Sequence, residues 1–147
     1  MKKSLLTIML AVCLIFPIAM FAGCDLSHKH YCDKFGVCRN CGKNTATQIS
    51  LQNGVYSCAS VPAKANDETY FSFVGNGTSN IKITISPSNI SVTNFDLYTQ
   101  TSSNLYLQRN NTVYVYEGEI TQGTTYYISL KVSVATNLSV KIEPNGV

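Results

Sequence analysis

The run Ile81-Lys82-Ile83-Thr84-Ile85 constrains this chain more than any other feature, because every second residue is apolar and the residues between are polar. A period of two places one apolar face on a β-strand and gives a helix no coherent stripe. From Thr45 onward the same chemistry persists: β-branched, aromatic, Asn and Ser residues dominate, while Ala and Leu are sparse. Such side chains fit a pleated, half-buried surface. Turn signals divide the stretch at Gly75-Asn76-Gly77, Pro87-Ser88-Asn89, Asn110-Asn111, Gln122-Gly123 and Thr136-Asn137. They predict strands over 69–74, 81–85, 95–98, 103–107, 112–116, 124–134 and 137–142, with edge strands over 48–51 and 55–58. Many short strands at close spacing favour two packed antiparallel sheets over a parallel one.

The first 23 residues follow a different rule. Lys2 and Lys3 precede an almost wholly apolar run from Leu5 to Ala22, the layout of a secretory signal. Pro17 interrupts that run, which is the only apolar stretch near the length of about 20 residues that a spanning helix needs. Phe21-Ala22-Gly23-Cys24 closes it. The Ala-Gly-Cys ending resembles the lipobox of bacterial lipoproteins, and the resemblance implies cleavage before Cys24 and acylation of that cysteine. Two or three acyl chains would then hold the protein at a membrane, since each buried methylene contributes about 0.8 kcal/mol. Plain secretion and an uncleaved signal anchor are the alternatives.

Removing residues 1–23 from the 147 leaves 124, enough for one domain with a real core. The formal charge falls from +3 to +1, because Lys2 and Lys3 leave and no acid does. So even a balance gives no electrostatic case for nucleic acid.

Both histidines and three cysteines fall within residues 28–41: His28, His30, Cys32, Cys38 and Cys41. Cys38-Arg39-Asn40-Cys41-Gly42 has the spacing by which two thiolates face one ion, and a structural zinc takes four N or S ligands. Gly36-Val37-Cys38-x-x-Cys41-Gly42 resembles the miniature zinc-ribbon segments of some bacterial surface proteins, which implies a structural zinc on Cys38 and Cys41 with two further ligands from His28, His30 and Cys32. Disulfides are the second chemistry open to this knot: Cys32 with Cys38 or Cys41, and the remaining cysteine with Cys58. A Cys-x-x-Cys redox pair is the third, and it wants a βαβ setting that does not follow here.

Three strand motifs carry a further likeness. Asp67-Glu68-Thr69-Tyr70-Phe71-Ser72-Phe73, Phe95-Asp96-Leu97-Tyr98 and Gly123-Thr124-Thr125-Tyr126-Tyr127-Ile128-Ser129-Leu130 occur in the order that resembles the bacterial pre-peptidase C-terminal domain. That resemblance covers about residues 64–143 and implies a small jelly-roll-like sandwich. Its motifs are core strands and speak for fold rather than function.

The expected architecture is therefore all-β: a cleaved signal over 1–23, a lipidated tether and Cys/His knot over 24–44, and an antiparallel sandwich over 45–147. A fragment starting near Thr45 is expected to fold without the knot. Catalysis is not expected, because the sandwich carries no histidine to serve a nucleophile and no evident acid pair across a cleft. Tyr98, Tyr114 and Tyr116 are candidate ligand contacts, since tyrosines in register make a flat platform for sugar rings. The expected function is non-catalytic binding outside the cytoplasm, of a glycan or a surface protein. A carbohydrate-binding module and a structural spacer are the alternatives.

Overall fold

A computed structural model describes residues 31–102 and 104–146. Among them every regular element is a strand: β1 (Thr47–Gln48), β2 (Ser50–Gln52), β3 (Val55–Ser57), β4 (Val61–Ala63), β5 (Glu68–Val74), β6 (Ser79–Ser86), β7 (Val92–Thr99), β8 (Gln108–Asn110), β9 (Val113–Glu119), β10 (Thr125–Val132) and β11 (Thr136–Pro144). Four of them form one sheet in the order β1-β5-β10-β7, with β1 parallel to β5 and the other pairs antiparallel. The second sheet runs β2-β3-β11-β6-β9-β8, and β4 also pairs with β11.

The alternation in the sequence explains which faces meet. On β6, Ile81, Ile83 and Ile85 are buried, and they pack with Leu138, Val140 and Ile142 of the neighbouring β11. Opposite them stand Phe71 and Phe73 of β5, Leu97 of β7, and Ile128 and Leu130 of β10. Burial of each such side chain contributes about 1.5–3 kcal/mol. An aromatic ladder of Tyr56, Phe73 and Tyr126 crosses the interior at centroid spacings of 5.2 and 5.3 Å. Tyr56 also donates its hydroxyl proton to the Val74 carbonyl at 2.7 Å, which ties β3 in one sheet to β5 in the other.

Two elements differ from the sequence expectation. Residues 104–107 form no ladder; Leu105 donates its N–H to Leu97 at 2.7 Å, and pairing resumes only at β8. Leu105 and Leu107 tuck against the core on either side of an outward Tyr106, so the segment has a strand's alternation without a strand's partners. Conversely, β4 contains Pro62, which marks a stretch as non-strand or edge. It pairs with the first half of the long β11, Pro62 opposite Asn137, while β3 takes the second half. The edge position tolerates the missing N–H.

Candidate functional site

The outer face of the four-stranded sheet follows from its register. Tyr70, Ser129 and Asp96 form one cross-strand row, Glu68, Lys131 and Asn94 the next, and Ser72, Tyr127 and Tyr98 the third. These residues alternate with the core side chains and would face water in a bare sheet. Tyr70 and Tyr98 are nevertheless buried. What covers them is the segment before β1.

That segment folds as a tight hairpin held by its own backbone. Asp33 accepts from the N–H of Phe35 (2.9 Å) and of Val37 (3.0 Å) through one carboxylate oxygen, and its own N–H donates to Val37 at 2.9 Å. Arg39 donates to Tyr31 (2.9 Å), Gly42 to Cys38 (2.7 Å), and Thr45 closes the loop on the Gly36 carbonyl through both its N–H and its hydroxyl. Phe35 meets Tyr127 edge-on at 4.9 Å and Tyr98 at 6.0 Å. Gly36 lies so close to the sheet that a Cβ there would stand 2.9 Å from the Cβ of Tyr70, and its φ of +76° is one glycine adopts freely. Tyr31–Val147 accordingly forms one compact unit, with the knot packed on the sandwich.

The cysteines divide. Cys32 and Cys38 are opposite each other, and the flanking bonds from Asp33 to Val37 and from Arg39 to Tyr31 identify a non-hydrogen-bonded pair, the closer of the two antiparallel arrangements. Cys38 is only 1% exposed, and the Cys32 sulfur contacts the Thr45 hydroxyl at 3.3 Å. Cys41, the other half of the Cys-x-x-Cys pair, is exposed at the turn that ends the hairpin. His28, His30 and the lipidation candidate Cys24 lie outside the described residues. Among the described residues no group of three or more His, Cys, Asp or Glu side chains gathers where an ion could sit. Cys58 carries a free thiol and accepts from the Val140 N–H at 3.3 Å beside β11, so the bridge from the knot to Cys58 is not formed.

Two clefts flank the segment 104–107, and Asn104 lines both. The first, of about 260 Å³, is walled on one side by Cys32, Asp33 and Arg39 of the knot and on the other by Glu68, Asp96 and Tyr98 of the sheet. The second, of about 410 Å³, lies over Phe95, Leu105, Tyr106, Arg109 and Tyr114. Each is lined by a buried tyrosine, Tyr98 in the first and Tyr114, whose hydroxyl has no hydrogen-bond partner, in the second. Burial pushes Tyr98 up to about 12, opposed by a hydrogen bond with the Ser129 hydroxyl and helped by the charges of Glu68, Asp96 and Asp33. Burial also raises Tyr114, and Arg109, whose guanidinium lies 5.7 Å from the ring, opposes it.

The expected tyrosine platform takes a different form. Tyr98 lies on the outer face of the four-stranded sheet under the knot, whereas Tyr114 and Tyr116 belong to β9 in the other sheet. Tyr114 is buried in a stack on Phe95 at 3.8 Å, and Tyr116 is half-buried against the core. The three do not share an exposed face. The most exposed aromatic among the described residues is Tyr106, at 86%, with Tyr31 next at 63%. Its position between Leu105 and Leu107 was the signal for it, since apolar neighbours that turn inward send the residue between them outward.

No protein-family model matches the chain, and no curated protein matches it. Solved structures do. Aeromonas hydrophila PliG, a periplasmic lysozyme inhibitor of g-type lysozyme, is 12% identical with a TM-score of 0.51, over 67% of this chain and 95% of its own. A mutant of the Escherichia coli PliG is 12% identical with a TM-score of 0.43, over 67% and 96%. Salmonella Typhimurium PliG is 14% identical with a TM-score of 0.42, over 67% and 98%. The likeness to the Aeromonas protein is one of fold, an all-β sandwich.

Proposed function

We propose that this chain is a lipid-anchored, non-catalytic protein of the cell envelope whose sandwich docks a protein partner through the segment 104–107 and the clefts beside it. The observation that carries the reading is Tyr106, a large amphipathic side chain 86% exposed at the rim of a cleft that holds the unpartnered Tyr114 hydroxyl. A lone aromatic flanked by concave, incompletely satisfied surface has the composition of an interface hot spot. Aeromonas hydrophila PliG, which shares the fold, inhibits g-type lysozyme in the periplasm. An enzyme of that type is the partner we assign. The signal-like start and the Ala-Gly-Cys ending support export and acylation at Cys24.

A clearing assay tests this. The full chain, added to a g-type lysozyme acting on a peptidoglycan suspension, is expected to slow clearing in a saturable, stoichiometric way. Clearing at an unchanged rate, with no complex on gel filtration, would refute the partner.

A further inference from the structure

We infer that Cys32 and Cys38 are the site of a cross-strand disulfide that locks the hairpin covering the four-stranded sheet; the inference stands apart from the docking reading above. The two cysteines are directly opposite each other. Because Asp33 donates to Val37 and Arg39 to Tyr31 on either side of them, each at 2.9 Å, they form a non-hydrogen-bonded pair. Side chains opposed in that way leave the same face of the ladder, with Cα atoms about 4.5 Å apart, inside the span of about 4.4–6.8 Å that a disulfide bridges. The turn between them is already fixed: one Asp33 carboxylate oxygen accepts from Phe35 and Val37, and Gly36 donates to the Asp33 carbonyl at 3.0 Å. Little chain freedom is left to lose when the ring closes. The ladder sets neither other described cysteine opposite Cys32. Cys41 lies at the exposed turn that follows, and Cys58 lies beside β11, where its sulfur accepts from the Val140 N–H at 3.3 Å.

Unequal burial orders the chemistry. Cys32 is a half-buried thiol, whereas Cys38 is only 1% exposed, so an external disulfide reaches Cys32 first. The Cys32 thiolate attacks one sulfur of that oxidant, expelling one thiol and forming a mixed disulfide. The Cys38 thiolate then attacks the Cys32 sulfur and expels the second thiol. Each cysteine gives up one proton, the pair gives up two electrons, and the oxidant leaves as two thiols. Small-molecule and protein disulfides of this class persist outside the cytoplasm, where the proposed export would place the chain. The bond formed ties together the two strands of a hairpin whose Phe35 and Gly36 pack on Tyr98, Tyr127 and Tyr70.

Peptide mapping tests this, because trypsin cuts after Lys29, Lys34, Arg39, Lys43 and Lys64 and so puts Cys32, Cys38, Cys41 and Cys58 on four different peptides. The full chain is equilibrated with oxidised and reduced glutathione, its remaining thiols are alkylated, and the unreduced digest is read by mass spectrometry. Peptides 30–34 and 35–39 are expected as one linked species, with Cys58 alkylated. Cys38→Ser should leave Cys32 carrying glutathione, and Cys32→Ser should leave Cys38 unmodified in the folded chain. The oxidised wild-type chain should melt about 5 °C above its reduced form. Both cysteines alkylated, Cys32 linked to Cys41 or Cys58, or alkylation of the pair only after a chelator has removed zinc would overturn the inference. Equal midpoints for the two forms would refute the lock, and glutathione on Cys38 in place of Cys32 would refute the order of attack. No lysozyme enters the assay, so its result is independent of the assigned partner.

Discussion

The hydroxyl of Tyr114 is buried where nothing accepts from it or donates to it, and single tyrosine substitutions test what each buried hydroxyl contributes. Removing a buried hydroxyl that makes no bond leaves no orphan behind, so Tyr114→Phe is expected to be neutral or stabilising by up to about 1 kcal/mol in urea unfolding. Tyr56→Phe, which abandons a 2.7 Å bond to Val74, should cost about 1 kcal/mol. The same tyrosines set an alkaline limit. Burial raises Tyr56, Tyr98, Tyr114 and most of all Tyr70, whose hydroxyl is also held by Glu68. A folded value above the unfolded value of about 10 gives stability that is complete below that pH and is lost as pH rises towards the folded value. Urea midpoints should therefore fall from about pH 10 upward, less steeply in Tyr98→Phe; a flat alkaline profile would show these phenols ionising freely in the folded state. None of this could be read from the sequence, where Tyr98, Tyr114 and Tyr116 are simply strand tyrosines. Which tyrosine is roofed over depends on a segment more than 50 positions away.

At the scale of elements, β6 was legible because its three isoleucines repeat at the strand period and nothing else competes for them. Ile83→Asp puts an unpaired charge into the centre of the second sheet, and a loss of about 4 kcal/mol or more is expected, enough to abolish the cooperative melt. The place of the hairpin before β1 on the sheet was not legible. The reason is that Phe35 and Gly36 carry the docking, one by its ring and the other by having no side chain, and neither departs from ordinary loop composition. Gly36→Ala should lift the hairpin from Tyr70 and cost about 1–3 kcal/mol, visible as a lowered thermal midpoint with retained β-type circular dichroism. A fragment beginning at Thr45 keeps the whole core and uncovers Tyr70 and Tyr98, so it should melt cooperatively but at a lower temperature than the full chain. Strand 103–107 was over-read for a physical reason: alternation reports which side chains turn inward, and it is silent on whether a neighbouring backbone is there to pair.

For the whole molecule, the account joins an anchor at one end to a docking face formed by the knot, β7 and the segment 104–107. The anchor has its own check, since mass spectrometry of the membrane-extracted protein should give an acylated Cys24 as the first residue, and a chain still carrying Met1 would rule it out. The sandwich architecture was legible from strand periodicity and turn spacing. The docking face was not, because its parts come from residues 32–39, 68, 93–98, 102, 104–109, 114 and 129, brought together by strands of both sheets and by the hairpin packed on one of them. The central claim is that this face binds a protein, and the most direct measurement compares the affinity of the wild-type chain and of Tyr106→Ala for a g-type lysozyme by isothermal titration. Tyr106 is exposed and its loss should leave the fold intact, so the account predicts a stable variant that binds about thirtyfold more weakly, the cost of a hot-spot tyrosine at about 2 kcal/mol. Equal affinity in the variant, or no binding by the wild-type chain, would contradict it.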